Sequence, residues 1–330
     1  MRGIGTAGAF PIEGGPQTLY FPRAWKVIAG FVIAGITGLA FYFLPLFQSA
    51  ATATVNTGPI SVPVPNPLPT TTQPFTVLLL GSDDDAKFPQ DRVNTQSMIL
   101  VRVDPGTKQA TMLSIPRDLW VSIPGQGMGK ISTAYQTGGA DGAIAAVESN
   151  FKVHIDDYVW IGLEGLVKLV DHLGGVDMLV TNPVLDDFYP ADINTNDPYG
   201  YYRIAVLPGA VHLDGVHALQ YVRSRHGDLR GDFGRSERQQ QLLMAIKARA
   251  AHINAADLPE LANAMQGELK TTIGISRMRQ LFSMAGDFNG PNVHRVILLP
   301  PYTSEGFAGG QDVIFPNWGQ ILPLVHQSFS

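Results

Sequence analysis

Between residues 217 and 240 the chain reads HALQYVRSRHGDLRGDFGRSERQQ. Arg223, Arg225, Arg230, Arg235 and Arg238 fall in this span, with Asp228, Asp232 and Glu237 between them. Guanidinium groups this close repel one another unless something anionic sits among them. Their planar forks match phosphate oxygens with two parallel N–H donors. Most charge runs are solvated, salt-bridged faces, but two features argue for an anion site here. Residues 217–222 are apolar and aromatic enough to be tethered to a core, so the arginines leave a packed element. The turn Gly231-Asp232-Phe233-Gly234 then feeds a second helix whose first residues carry Arg235 and Arg238. A helix N-terminus beside guanidinium groups readily takes an anion.

Other charged residues stand where elements end. Residues 76–80 (TVLLL) read as a buried strand that runs into Gly81-Ser82-Asp83-Asp84-Asp85. Successive carboxylates at a strand's end are costly unless solvated or neutralised by a cation. Asp83, nearest the strand, is the one expected to point into a crevice, and Asp84 and Asp85 to be exposed. Residues 97–103 and 110–114 flank Asp104-Pro105-Gly106 and predict a hairpin. Its second strand runs into Ile115-Pro116-Arg117-Asp118, which puts Arg117 at a strand end. A short strand over 120–123 leads to a glycine-rich loop, 125–129, and then Lys130.

Further along, 141–151 reads as a short helix and 157–161 as a strand. Leu163, Leu166, Val167, Val170 and Leu173 recur at helical spacing, with Gly174 in the position of a left-handed cap. A strand over 176–181 follows, and this strand–helix–strand alternation argues an α/β domain with a central sheet covered by helices. Residues 182–203 read as a long loop. Its run from Asp192 to Asp197 imitates the start of a calcium loop, but Asp197 stands where glycine is needed and Arg203 where the bidentate glutamate belongs. Residues 236–253 predict a long helix with Leu242, Leu243, Ala245, Ile246 and Ala250 inward. Beyond it come helices near 258–269 and 275–284, a strand at 293–299 and a last helix near 318–329.

At 330 residues and 45% hydrophobic content the chain can bury a sizeable core. It has no cysteine, so disulfides, thiolate metal sites and thiol nucleophiles are excluded. Residues 27–47 hold no charge and are long enough to cross ~30 Å of hydrocarbon as a helix. Arg23 and Lys26 precede this run and no charge follows it through Pro74, so the N-terminus is expected in the cytoplasm and the bulk of the chain outside. A leader cleaved near Ala51-Thr52-Ala53 is the alternative. The apolar run exceeds the ~7–15 residues of a signal core, which favours a retained anchor. Residues 48–74, rich in Pro and Thr, read as a semi-rigid spacer. The expected organisation is thus a cytoplasmic 1–26, a transmembrane 27–47, a spacer 48–74, a catalytic domain 75–255, and an extension 256–330 packed on or continuing it. Residues 75–330 hold 20 basic and 27 acidic side chains, net −7 against −5 for the whole chain. Such a body lacks the broad basic footprint of a nucleic-acid binder, and the arginine cluster becomes a local site for a small anion.

Several stretches, in order, resemble the LytR-CpsA-Psr family of cell-envelope proteins. They are residues 78–83 (LLLGSD), Arg92-x-x-Thr95, Ser114-Ile115-Pro116-Arg117-Asp118, and Lys130-Ile131 with Ala134-Tyr135. Further on come Leu169-Val170-Asp171-x-x-Gly174-Gly175-Val176, Pro208-Gly209 with Leu213-Asp214-Gly215, Tyr221-Val222-Arg223-Ser224-Arg225, and Asp232-Phe233-Gly234-Arg235-x-x-Arg238-Gln239. The match runs from about residue 76 to about 253. The resemblance implies a central mixed β-sheet covered by helices, preceded by one transmembrane helix. It implies a cell-membrane phosphotransferase, single-pass, that moves a glycopolymer from a polyprenyl pyrophosphate onto peptidoglycan. Polyprenyl phosphate would be left behind, hydrolysis would be a side reaction, and the lipid tail would lie in an apolar tunnel.

By the same resemblance Arg117, Arg223, Arg225, Arg235, Arg238 and Gln239 hold the pyrophosphate and Lys130 lines its site. The catalytic set is Asp83, Arg92, Arg223, Asp232 and Arg235, and a divalent metal, magnesium or manganese, bridges Asp83 and Asn94 to phosphate oxygens. Bottom-up chemistry agrees: phosphoryl transfer needs positioning and charge neutralisation and no covalent protein nucleophile. One departure matters. The family's Arg-x-Asp-Thr reads Arg92-Val93-Asn94-Thr95 here. An amide oxygen can ligate magnesium but carries no charge and cannot act as a base. Weaker metal binding follows, or a shift of the role to Asp84, Asp85 or Asp232. A second reading, a non-catalytic protein that holds the lipid-linked polymer, stays open on this residue. A third, a transcriptional regulator, is opposed by the expected topology and by the net −7.

Overall fold

A computed structural model of the chain describes residues 73–82, 93–191, 197, 199–224, 228, 230–250, 263–274, 277, 280–281, 284, 288 and 290–329. The apolar run 27–47 and the spacer up to residue 72 lie outside the described residues, as do Asp83, Asp84, Asp85, Arg92 and Arg225. So do 192–196 of the calcium-like run and 258–262 of an expected helix.

Six strands form the central sheet: β1 (Phe75–Ser82), β2 (Thr95–Asp104), β3 (Gln109–Ser114), β6 (Asp157–Ile161), β11 (Leu269–Thr271) and β12 (Val293–Ile297). They lie in the order β11-β6-β1-β2-β3-β12. The sheet is mixed: β1 is antiparallel to β2 and parallel to β6, and β3 is antiparallel to β2 and parallel to β12. Both edges, β11 and β12, come from the C-terminal segment, which therefore continues the domain. The expected helix near 258–269 is corrected at its end, because Leu269 belongs to a strand that hydrogen-bonds β6.

The β2–β3 hairpin forms as its turn chemistry predicts, with Asp104 Oδ1 accepting from the N–H groups of Gly106 and Thr107. Because strand side chains alternate faces, β2 feeds two cores. Ile99, Val101 and Val103 pack with Val77, Met112 and Val159 against Leu243 and Met244 of α4 (Gly231–Ala250). Met98 and Leu100 pack with Leu78, Leu80 and Leu113 against α1 (Ala134–Phe151) and α5 (Trp318–Phe329). The result is a helix–sheet–helix sandwich. Helix α1 starts earlier than the expected 141. The residues before Gly139 are already helical, and the backbone kinks at that glycine, whose φ of 58° with ψ of −146° suits glycine alone.

Three expectations fail for identifiable reasons. The glycine-rich loop is in part a strand: β5 (Gly127–Lys130) pairs with β4 (Trp120–Ile123), with Lys130 opposite Trp120. After α2 (Leu163–His172), β7 (Val176–Val180) does not return to the central sheet but pairs with β10 (Gly209–Leu213). A strand in the middle of a sheet covered on both faces is apolar throughout, and β7 carries the exposed Asp177. The expected loop over 182–203 holds β8 (Val184–Pro190), paired antiparallel with β9 (Tyr201–Val206) around a bulge between Asp186 and Tyr189. Its prolines and aspartates read as loop, yet Asp186 is buried and accepts from Ser224 Oγ at 2.6 Å. Finally β13 (Thr303–Ala308) and β14 (Gln311–Pro316) make a hairpin that sequence patterning does not indicate.

Two of the shared stretches hold the scaffold together. Asp171 of α2 accepts from Gly215 N at 2.7 Å, and a Cβ on Gly215 would lie 2.2 Å from the Val167 carbonyl oxygen. Glycine thus lets α3 (Gly215–Arg223) press its first turn onto α2. Asp214 caps α3, accepting from His217 N at 2.8 Å.

Candidate active site

The charged residues collect at one end of the sheet, where β1 ends and β2 begins. Gly81 lies opposite Ser97, and a Cβ there would meet Ser97 Cβ at 3.1 Å, so glycine keeps the two strand ends close. From here β2 sends neighbouring residues into different layers. Ser97 Oγ donates to Gln239 Oε1 of α4 at 2.9 Å on one face. Gln96, on the other, accepts from Arg117 Nη1. Gln239 Nε2 in turn reaches the carbonyl of Val222 at 3.5 Å, beside Arg223 at the end of α3. Arg235 is buried one helical turn before Gln239, and residues four apart share a helix face.

The loop after β3 supplies a compact cationic group. Lys130 Nζ lies 3.0 Å from Asp118 Oδ1, and Arg117 Nε lies 3.7 Å from the same oxygen. Asp118 is buried, and its backbone is fixed by Ile314 of β14, whose N–H donates to the Asp118 carbonyl at 2.9 Å. A separation of 3.7 Å is an ion pair and too long for a hydrogen bond. Among the described residues the buried Arg117 Nε–H finds no hydrogen-bond partner. Nearby in sequence, Asn94 Oδ1 is a buried acceptor that also lacks one. Buried polar atoms are nearly always satisfied. One unpaired donor, on the arginine that holds Gln96, and one unpaired acceptor, two residues before Gln96, are chemically suited to an anion and a cation. Among the described residues no group of three or more His, Cys, Asp or Glu could hold a metal. The orphan amide oxygen of Asn94 nonetheless fits one ligand position for magnesium or manganese, and Asp83, the other expected ligand, lies outside the described residues.

Arg238 departs from expectation. Read as a pyrophosphate ligand, it is instead completely buried and saturated. Its Nε donates to the Tyr221 carbonyl at 2.6 Å, its Nη2 to the Ser224 carbonyl at 2.7 Å, and its Nη1 pairs with Asp228. Those carbonyls belong to the end of α3, where helical partners run out. Burial pulls the Arg238 guanidinium below its ordinary pKa, with Asp228 opposing the shift. Burial also pushes the Tyr221 phenol up to about 12. Gly234 makes the pair possible: a Cβ there would lie 1.9 Å from the Asp228 carboxylate. The expected Gly231–Gly234 turn is already the first turn of α4, and its last glycine serves Asp228. Asp232 stands in that same turn.

The structure thus links Arg117 and Gln239 to the start of β2 through Gln96 and Ser97, joins Lys130 to Arg117 through Asp118, and withdraws Arg238 into the scaffold; Arg223 closes α3 and Arg235 lies one turn before Gln239. Gln96, Ser97, Asp118 and Asp228 hold the arrangement and had no assigned role in the sequence. Asp118 could have been found from its place between Arg117 and the strand of Lys130. Gln96 and Ser97 carried no signal.

Comparison with known proteins places this chain in a family. The chain is 34% identical over 213 residues to the polyisoprenyl-teichoic acid–peptidoglycan teichoic acid transferase TagU of Enterococcus faecalis, covering 63% of this chain and 65% of that protein. It spans just under two thirds of that relative. The fold superposes on the crystal structure of Bacillus subtilis TagV with a TM-score of 0.64 and 27% identity, over 78% of this chain and 98% of the other. TagT with LIIa-WTA bound superposes with a TM-score of 0.61 and 26% identity, over 77% and 89%. The profile of the LytR_cpsA_psr family matches residues 47–301, and the chain belongs to that family.

Proposed function

We propose that this chain is a membrane-anchored, extracytoplasmic phosphotransferase that moves a glycopolymer from a polyprenyl-pyrophosphate carrier onto peptidoglycan. The observation that carries this reading is the pair of orphan groups, Arg117 Nε–H and Asn94 Oδ1, at one sheet end. A metal-bound pyrophosphate presents both the oxygens the first needs and the cation the second needs. TagU is named for moving teichoic acid from a polyisoprenyl carrier to peptidoglycan, and TagT holds LIIa-WTA. Both names support the substrate class.

In the reaction an acceptor hydroxyl of peptidoglycan forms a bond to the sugar-side phosphorus. The bond from that phosphorus to the bridging oxygen breaks, and its electron pair stays with polyprenyl phosphate. Arg117, Arg223 and Arg235, with Lys130, neutralise the charge that grows on the leaving phosphate. Gln239, fixed by Ser97, orients it. A magnesium or manganese ion held by Asp83 and Asn94 would supply further charge neutralisation when bound. The hydroxyl proton needs a carboxylate; Asn94 cannot take it, and Asp83 or Asp232 is the group proposed to. The apolar run 27–47 would anchor the chain, keeping the site by the bilayer that holds the carrier.

The uncharged Asn94 favours one other reading, a protein that holds the carrier without turning it over. Full-length protein in detergent with a polyprenyl pyrophosphate, with and without magnesium or manganese, separates them. Transfer and hydrolysis both release polyprenyl phosphate, which is expected to depend on metal and to disappear in Arg235→Ala. Tight binding with no release, and release gained in Asn94→Asp, would establish the binding protein instead.

A further inference from the structure

Strands β7 and β8 follow one another through Pro183, and β9 and β10 through Pro208, so residues 176–190 and 201–213 form one bent two-stranded ribbon. Its inner face (Val176, Val180, Val184, Ile204, Val206 and Leu213) packs on α2, α3 and α4. An antiparallel ribbon with one wet face normally carries polar residues there. This one instead exposes Leu179, Leu185, Phe188, Tyr201 and Leu207, each between 61% and 66% accessible. Across the ribbon Arg203 pairs with Asp187 at 2.5 Å, and His212 Nδ1 lies 2.7 Å from Asp177 Oδ1. Large exposed apolar patches mark sites of protein or membrane contact.

We propose that the outer face of this ribbon rests on the bilayer surface and sets the height of the active site above it. The inference rests on the reading of a lipid-carried donor. The ribbon is tied to the site: buried Asp186 of β8 accepts from Ser224, the residue after Arg223, and Asn182 donates to Glu237 of α4 at 3.2 Å. The tether also permits it. Strand β1 begins at Phe75, at the end of the sheet away from Gly81 and Ser82, so a short tether would hold the wrong end against the membrane. The stretch from 48 to 74, about 27 residues, could reach at most ~80 Å at the ~3.1 Å per residue of an extended Pro-rich chain. Eight residues of β1 span only ~26 Å. The domain can therefore turn its site end down. Leucine, phenylalanine and tyrosine suit the boundary of headgroup and hydrocarbon. With Arg203 already paired to Asp187, the face docks by apolar burial and not by attraction to anionic lipid.

The cysteine-free chain lends itself to the test. Full-length Leu185→Cys and Phe188→Cys, each labelled with an environment-sensitive dye, go into phosphatidylethanolamine–phosphatidylglycerol vesicles containing shallow brominated lipid. Glu305→Cys, on the exposed β13–β14 hairpin, is the control. Quenching at 185 and 188 is expected to exceed that at 305 by about threefold and to persist in high salt, since apolar contact is not screened. Equal quenching at all three sites would overturn the proposal. So would a dye response that follows protein concentration instead of lipid, which would make the face a contact between copies of the chain. In activity, Leu185→Glu with Phe188→Glu should lower turnover of vesicle-embedded long-chain polyprenyl pyrophosphate by about tenfold and leave a water-soluble short-chain prenyl pyrophosphate within about twofold. Equal loss on both substrates would again count against docking. If the unmodified chain turns over neither, the catalytic reading fails and the quenching alone decides the docking.

Discussion

Two of the arginine–aspartate clusters among the described residues, around Asp118 and around Asp228, do opposite things. Around Asp118, two cations share one carboxylate, and the Arg117 Nε–H is left buried without a hydrogen bond. Around Asp228, one arginine spends itself on a carboxylate and two carbonyls, in complete burial. The first cluster has an unfilled donor and so can receive an anion. The second is closed and can only hold α3 against α4. Arginine count therefore says little about anion binding; what matters is whether the fold delivers partners for every N–H. The closed cluster still serves the open one, because it fixes the helix end from which Arg223 projects.

The sharpest way to separate the clusters is to remove one arginine from each. Arg238→Ala strands Asp228 in the interior, and breaking a buried pair from one side costs about 3–5 kcal/mol. Thermal unfolding should show Tm falling by roughly 10 °C, and replacing Arg238 and Asp228 together by apolar residues should recover part of it. Gly234→Ala tests the same cluster through shape. The new methyl overlaps the Asp228 carboxylate, and a loss of about 1–3 kcal/mol is expected in chemical denaturation.

Arg117→Ala should behave in the opposite way. Binding of polyprenyl pyrophosphate should weaken by about 10- to 100-fold, the range for a hydrogen bond to a charged group, while Tm stays nearly unchanged. Equal destabilisation by Arg117→Ala and Arg238→Ala would erase the distinction. Asn94→Asp sharpens the open cluster from its other side: a charged oxygen in place of the orphan amide should tighten magnesium or manganese by about tenfold, read by calorimetry.

The smallest effect expected is at the cap that starts α3. Burial acts to raise the Asp214 carboxyl, but hydrogen bonds from His217 outweigh it and hold its pKa below the ordinary value. A depressed carboxylate stabilises the fold above its unfolded value, near pH 4, and that contribution fades as pH falls through the lower folded value. Asp214→Ala should cost about 1 kcal/mol at neutral pH. The difference in Tm from the unmodified chain should shrink as the pH drops below about 4.

Much of the fold was legible because it is local. The runs of β1, β6 and β12, the Asp104-Pro105-Gly106 turn, and the helical spacing of α2 with its Gly174 cap each declare themselves within a dozen residues. Strands β5, β8 and β9 did not, because glycine, proline and aspartate mask an alternation that only a partner strand makes visible. Asp186 looks like a loop residue until Ser224 arrives from 38 positions away. Strand β11 was hidden for the same reason, as a three-residue edge completed by a distant sheet. In the site, the ordered motifs named Arg117 and Gln239, which meet Gln96 and Ser97 at the start of β2, and Lys130, which shares Asp118 with Arg117. They also named Arg238, which is withdrawn into the scaffold. Nothing in the local sequence separates Arg235 from Arg238, since both open the same helix.

The sequence by itself determined the supply of charge: arginines concentrated in an acidic body, no thiol, and an amide at Asn94 where the family resemblance leads one to expect a carboxylate. It also determined which runs must be buried, through their periodicity. Only the tertiary structure decided how the guanidinium groups divide between partly unpaired and fully braced. That division depends on which carboxylates and carbonyls the packing brings to each arginine. Arg238 finds its partners 10 and 17 positions away, at Asp228 and Tyr221, and Ser97 meets Gln239 across 142, a scale on which residue spacing carries no geometric information.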